Sequence, residues 1–405
     1  MSKHLDATQW IEELEAELRD NILEFWLKHS LDTQQGGFYG EVTRDFAVVP
    51  DAAKSLVLNT RLLWTFSAAY RTYRKEAYLA AAERAYHYLN EHFVDRNYGG
   101  MYWMLNADGS PLERKKQIYG QAFAIYAYAE YYRTTGHEQA RQNAITIFQH
   151  IERYGHDKHY GGYIEALSEQ WQETDDLSLS GKDLNEKKSM NTHLHVMEAY
   201  TNLYRIWKSD ELEKQLAELI NITISHIIDR DTGHFKLFFD EAWNSQSDHI
   251  SYGHDIEGSW LLVEAAEVLG HEALLAEAKA VAIKMADAVL ANGFDADGGL
   301  LNEAQGSIII DDHKDWWPQA EAVVGFYHAY QLTGQQQYRE AAERSWHFIQ
   351  HYIVDKQFGE WHWSVRRDGT PSDHVQKISA WKCPYHNGRA CLEMIERLKH
   401  NELKG

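Results

Sequence analysis

Apolar positions recur at three- and four-residue spacing along most of the chain, and they do so in paired blocks. Such spacing sets one face of a helix against a core. The first block of each pair is apolar and aromatic nearly all round, as in SLVLNTRLLWTFSAAYRTY, whereas the second is rich in alanine and charge. The pairs fall near 52–74 and 76–93, 115–135 and 138–154, 186–208 and 210–228, 252–269 and 271–290, and 315–333 and 336–353. A helix that is apolar on every side must be covered on every side, so the first member of each pair is predicted to lie inside and the second to shield it. Helices near 7–29 and 377–399 are left over and can pair with each other, which predicts a ring of twelve helices.

The segments between pairs carry a repeat. An aspartate is followed within two to five residues by glycine and then usually an aromatic residue, beginning at Asp32, Asp95, Asp157, Asp229, Asp295 and Asp355. The intervals are 63, 62, 72, 66 and 60 residues, about two helices and their connections. Regular self-similarity of this length fixes architecture. The glycines read as turn positions and the aromatics that follow as brief strand pairing. The predicted fold is all-α, an (α/α)6 barrel of twelve helices with short hairpin or turn connections, forming one domain over residues 1–405. A linear helical solenoid is the alternative, but complementary terminal helices favour closure. One insertion, about 165–188, is polar and reads as a surface loop bordering one mouth.

Composition adds two constraints. With 14 Trp, 24 Tyr and 14 Phe among 44% hydrophobic residues, the chain can fill a large core and still line a cavity with aromatics. The formal charge of −21, from 61 acidic and 40 basic residues, repels phosphate backbones and anionic membranes. No nucleic-acid or membrane partner is expected. The start, MSKHLDATQWIEELEAELRD, enters an acidic amphipathic helix without an apolar signal core, so a soluble cytoplasmic protein is expected, as a monomer or weak homodimer. Cys383 and Cys391 are too few for a disulfide framework or a cysteine metal site.

Polar residues break the apolar pattern of one inner block after another. They are Asn59 and Arg61; Tyr119 and Gln121; Asn191, His193 and His195; His254 and Glu257; Trp317 and Glu321; and Trp381, Tyr385, His386 and Arg389. Helices around one axis would aim such groups at a shared cavity. Residues three or four apart share a helix face, which groups Asn191 with His195, His254 with Glu257, Trp317 with Glu321, and His386 with Arg389. His193 then diverges from His195 and reads as structural.

A metal reading of His254, Glu257, His195 and His386 competes with acid/base chemistry, but the spacing lacks the His-Glu-x-x-His pattern of a zinc hydrolase. Asp311, Asp312, His313 and Asp315 lack the spacing of a calcium loop and read as a solvated turn. No phosphate-binding glycine loop or nucleophile elbow is present, so neither metal nor cofactor is expected. Three histidines aimed at one cavity can move protons near neutral pH. A glycoside hydrolase, using Glu257 and Glu321 as opposed carboxylates, is a second enzyme reading, although it leaves the histidines without a role.

The segments NTRLLWTFS at 59–67, YGQAFAIYAYAEYY at 119–132, MNTHLHVMEAY at 190–200, YGHDIEGSWLL at 252–262, DWWPQAEAVVGF at 315–326 and WKCPYHNGRACLEM at 381–394 resemble the N-acylglucosamine 2-epimerase superfamily. The last is similar to its cellobiose branch. The resemblance implies an (α/α)6 barrel acting on a small oligosaccharide, which interconverts glucose and mannose configuration at C2 of a reducing-end residue. By the same resemblance His254 and His386 would be the acid/base pair and His195 an essential histidine. Arg61 and Asn191 would contact the reacting sugar, Glu257 would orient or bind beside His254, and Trp317 and Trp381 would hold sugar rings. Tyr119, Trp260 and Glu321 complete the expected substrate-binding set. Monosaccharide and N-acyl sugar epimerases and aldose–ketose isomerases of the same fold are the alternatives within the superfamily.

Overall fold

A computed structural model of the chain describes residues 5–181 and 183–402. Among them the helices alternate between an outer and an inner position. The outer set is α1 (Ala7–Ala16, running on through Glu17–Leu23 to Glu24–His29), α3 (Glu76–Tyr88), α5 (Glu138–His150), α7 (Asp210–Ile222), α9 (Glu272–Asn292) and α11 (Gln336–Phe348). The inner set is α2 (Leu56–Tyr73), α4 (Ile118–Thr135), α6 (Met190–Ile206), α8 (Tyr252–Leu269), α10 (Trp316–Thr333) and α12 (Tyr385–Glu402). Burial follows the pattern of apolar residues. Every residue of α2 from Leu56 to Ala69 is buried, whereas α7 buries one face carrying Leu212, Leu216, Leu219 and Ile220.

Consecutive inner helices pack side by side, and α12 packs against α2, so the ring closes as an (α/α)6 barrel. α1 lies against α12, the pairing expected of the two leftover helices. The last helix starts later than its periodicity predicts, at Tyr385 rather than 377. Gln376–Ile378 is drawn into a strand beside Val42–Thr43, and Pro384 disfavours helical backbone in the residue before it.

The aspartate motifs are tight hairpins. Leu31 pairs with Phe38, Val94 with Met101, His156 with Tyr163, Ile228 with Phe235, Phe294 with Leu300 and Val354 with Trp361. Inside each turn the aspartate accepts backbone N–H bonds: Asp95 Oδ1 takes those of Asn97 and Tyr98 at 2.9 and 3.1 Å. Gly99 and Gly100 follow at φ of 76° and 71°, the left-handed region that glycine enters without strain.

Two further groups lock these hairpins, and neither belongs to the motif. A buried lysine from just ahead of an inner helix reaches the aspartate: Lys54 to Asp32 at 2.8 Å, Lys116 to Asp95 at 2.6 Å, and Lys188 to Asp157 at 2.7 Å. Lys314 and Lys377 do the same for Asp295 and Asp355. A polar side chain one turn into the inner helix then holds the hairpin backbone. Gln121 bonds both N and O of Met101, and Gln319 both N and O of Leu300. His193 accepts from Tyr163 N at 2.8 Å through Nε2 and donates through Nδ1 to Ser189 O at 2.7 Å, which bears out its structural reading. Asp255 takes this place against Phe235 N.

The insertion is less exposed than its polarity suggests, since Trp171, Leu177 and Leu179 are buried. Its apex turns to the barrel mouth that holds the N-termini of the inner helices. Among the described residues no helix is long and apolar enough to cross a membrane.

Candidate active site

A cavity of about 380 Å³ opens at that mouth. Arg61, Tyr119, Asn191, His195, His254, Glu257, Trp317, Trp381 and His386 line it, together with Leu179, Ser180, Gly181 and Asp183 from the insertion and Glu303, Asp315, Trp316 and Trp363 at the rim. A larger groove of about 630 Å³ lies outside the ring between Arg153–Tyr160 and the insertion. No inner-helix side chain enters that groove, so volume alone does not locate the chemistry.

The placement follows from register. Tyr119, Asn191, Trp317 and His386 are each the second residue of their inner helix, and Arg61, His195 and Glu257 each the sixth. Equivalent positions on neighbouring inner helices turn toward the axis together. Trp260 and Glu321, expected to touch substrate, are not among the cavity-lining residues. They lie one layer deeper, where Trp260 Nε1 donates to Glu321 Oε2 at 3.1 Å and both pack against Arg389.

That deeper layer is a charge cluster. Arg389 Nη2 donates to Glu257 Oε1 at 2.6 Å and to Glu321 Oε1 at 2.7 Å, while Nη1 donates to Glu198 Oε1. Glu321 Oε1 is also 2.7 Å from His386 Nδ1. Glu257, Glu321 and His386 bring ligand atoms within 4.8 Å of one another, a spacing a metal could use. Arg389 already bonds both carboxylates, so the donor set fits a guanidinium. Of the four residues weighed for a metal in the sequence, only Glu257 and His386 belong to this group. The hydrolase reading loses its geometry here, because Glu257 and Glu321 sit together on one guanidinium and not across a cleft. Around Asp311 the acidic stretch is a hydrogen-bonded turn, its carboxylate held by His313 and Asn302.

The upper layer is neutral at its histidines. Burial pushes His254 down to about 3 and His386 well below the ordinary imidazole range, with Arg61 and Arg389 adding to the effect on His386. His195 is also lowered by burial, against the opposing pull of Glu198. Trp317 packs against two of them, its ring centroid 4.6 Å from His254 and 5.4 Å from His386. Tyr119 meets the edge of His195 at 5.0 Å and packs 6.0 Å from Trp381.

Arg61 is fully buried, donates to Tyr119 OH at 2.8 Å and lies over the Phe123 and Tyr385 rings. Burial works against its charge, yet Tyr119 and Cys383 hold its pKa above the ordinary value. Arg61 Nε, Asn191 Oδ1 and Glu257 Oε2 are buried polar atoms with no hydrogen-bond partner among the described residues, and all three residues line the cavity. Unpaired buried polar groups are costly, so their convergence marks a place built for a polar ligand.

Several residues of this site were not singled out from sequence. Glu198 had a signal, lying three residues after His195 on the same helix face. Asp183, Glu303 and Trp363 come from loops and hairpins whose position no periodicity encodes.

The sequence pattern of the N-acylglucosamine 2-epimerase (GlcNAc 2-epimerase) family matches residues 37–390. The cellobiose 2-epimerase of Bacteroides fragilis is 46% identical over 385 residues, spanning 95% of this chain and 98% of that one. The cellobiose 2-epimerase of Ruminococcus albus is 40% identical over 392 residues, spanning 96% and 98%. The solved structure of cellobiose 2-epimerase from Bacillus thermoamylovorans superposes with a TM-score of 0.92 at 40% identity, covering 96% of this chain and all of that one.

Proposed function

The chain belongs to the N-acylglucosamine 2-epimerase family and is an isomerase, and from that premise we propose that it inverts C2 of the reducing-end glucose of β-1,4-linked disaccharides. Cellobiose becomes glucosyl-mannose and lactose becomes epilactose. The observation that carries this reading is the set of three neutral imidazoles around an arginine that, among the described residues, pairs with a tyrosine and not a carboxylate, in a cavity walled by tryptophan.

The C2 proton becomes acidic only when the ring opens to the aldehyde. Opening moves a proton from O1 to the ring oxygen, a transfer we assign to the acid/base pair His254 and His386, with His195 accepting a hydrogen bond from a sugar hydroxyl. A neutral histidine then takes the C2 proton, the electron pair moves onto the carbonyl oxygen, and an enediolate forms. Arg61 and the Tyr119 hydroxyl face that oxygen as donors, and a buried guanidinium stabilises developing negative charge more than it would in water. His254 and His386, both packed against Trp317, remove the proton and return it to the opposite face. The aldehyde recloses with no net gain or loss of atoms. Return of the proton to C1 instead gives a ketose, so slow isomerisation accompanies the main reaction.

Asn191 and Glu257 contact the reacting sugar and Glu257 orients it beside His254. Trp317 and Trp381 stack on the apolar C–H faces of the sugar rings. Product analysis tests the reading: cellobiose should yield an intact disaccharide ending in mannose, and His254→Ala and His386→Ala should each lose at least about 100-fold in rate while staying folded. Released glucose, or turnover of mannose or N-acetylglucosamine with cellobiose untouched, would overturn it.

A further inference from the structure

We infer that Glu198 is a positioning residue for the epimerisation: it holds His195 with Nδ1 protonated, so that the Nε2 lone pair faces the sugar. The inference rests on the reading of His195 as a residue of the reacting cavity.

Glu198 lies one turn below His195 on α6, with Oε2 at 2.9 Å from His195 Nδ1. Its other oxygen accepts from the Tyr385 hydroxyl and from Arg389 Nη1. Arg389 can only donate, and Glu198 takes Nη1 together with the Tyr385 hydroxyl bond while Glu257 and Glu321 share Nη2, so Glu198 is the carboxylate of the three placed to stay ionised. Burial alone would raise the Glu198 pKa, but Arg389 and the bond from His195 bring it down to about 2. An ionised carboxylate can only accept, so His195 Nδ1 must be the donor. In a neutral ring the proton on Nδ1 leaves Nε2 bare.

The surroundings hold the ring in that orientation. Tyr119 meets it edge-on at 5.0 Å and Phe123 lies at 4.8 Å. The other charged groups that act on it are Arg61 and Arg389, and both disfavour a second proton. His254 is different, since its Nδ1 lies 2.8 Å from the Ser251 hydroxyl, which can donate or accept. His386 is different again, since its carboxylate partner Glu321 shares Arg389 Nη2 with Glu257, and two carboxylates so placed disfavour two negative charges. Of the three imidazoles His195 alone has a tautomer fixed by a permanent anion. It is therefore set to accept a hydrogen bond from a sugar hydroxyl throughout the reaction, while the other two can exchange protons.

Long-range ¹⁵N–¹H spectra of the whole enzyme, labelled at histidine nitrogen, read the tautomer directly. His195 signals are assigned by their loss in His195→Gln. In the wild type Nδ1 should resonate as a protonated nitrogen and Nε2 as a bare one from pH 6 to 9. Glu198→Gln presents an amide that can also donate, so the pattern should reverse or average, and turnover of cellobiose should fall about 100-fold with KM changed only a few-fold. Glu198→Asp, keeping the charge, should restore the wild-type pattern at least in part. A wild-type ring protonated at Nε2 would overturn the inference, as would an unchanged pattern in folded Glu198→Gln. If Glu198→Gln does not fold, the wild-type spectrum decides alone. Because the spectrum needs no substrate, it separates this inference from the proposed reaction, which fails only if the wild type leaves C2 of cellobiose untouched.

Discussion

At the scale of single residues, the candidate site was legible as a set of departures: histidine, arginine, asparagine and tyrosine where an inner helix should be apolar. Register along each helix was enough to bring His195, His254, His386, Arg61 and Asn191 to one cavity. Depth was not legible. Glu257 and Glu321 occupy equivalent helix positions, yet Glu257 lines the cavity while Glu321 is held below it by Trp260 and Arg389. The Arg389–Glu198 contact joins residues 191 positions apart, and helix periodicity carries no information on such pairs. Glu257 also carries a cost that can be measured. Burial, then the neighbouring Glu321, pushes its carboxyl up to about 8, so the unfolded chain gives up this proton near pH 4.5 while the folded chain keeps it. Folding then binds the extra proton, and stability falls as pH rises through this window. Glu257→Gln should abolish most activity yet gain in melting temperature relative to wild type between pH 5 and pH 8. Calorimetry at the two pH values checks this, and a gain that shrinks with pH would contradict it.

At the scale of elements, helix pairs were read to within about one turn at each end, the last helix excepted, and α8 falls on its expected span. The lysines were missed because a lone lysine ahead of a helix ordinarily reads as solvated. Their recurrence two residues before α2, α4, α6 and α10 was the available signal. Three repeats depart from the scheme. In the first, Asn59 stands at the hairpin-binding position of α2 but donates to Ser55 O. In the fourth, Ile250 stands at the lysine position before α8. In the sixth, α12 has Gly388 where α4, α6, α8 and α10 place a hairpin-binding side chain, and the group comes from the opposite side: Glu360, at φ 57°, bonds Asn387 and Lys382. The Lys116–Asp95 pair is wholly buried, and removing one member of such a pair typically costs about 3–5 kcal/mol. Lys116→Met should lower the urea midpoint clearly, and adding Asp95→Asn should recover part of the loss. Equal midpoints for wild type and Lys116→Met would show that the hairpin lock contributes nothing.

At the scale of the whole molecule, closure of the ring makes separate helices act on one substrate. It also buries imidazoles that must stay neutral. His193 and His254 are both held down to about 3, chiefly by burial, so the unfolded chain takes up their protons below pH 6.5 while the folded barrel does not. Stability is therefore present above that pH and lost as pH falls toward 3. His193→Gln installs the side chain that Gln121 and Gln319 use at equivalent positions, and should leave the fold intact. It should reduce the acid slope of stability by about 1.4 kcal/mol per pH unit, the effect of one proton. Urea titrations from pH 6.5 to 4 read that slope, and an undiminished slope would mean His193 is not buried neutral. The central claim, proton abstraction and return at C2 by the histidines of this cavity, is tested most directly by NMR of cellobiose incubated with the enzyme in heavy water. The account predicts deuterium at C2 together with a mannose-configured reducing end, and loss of both in His254→Ala and His386→Ala. Epimerisation without deuterium under prolonged turnover, or no exchange at C2 at all, would contradict it.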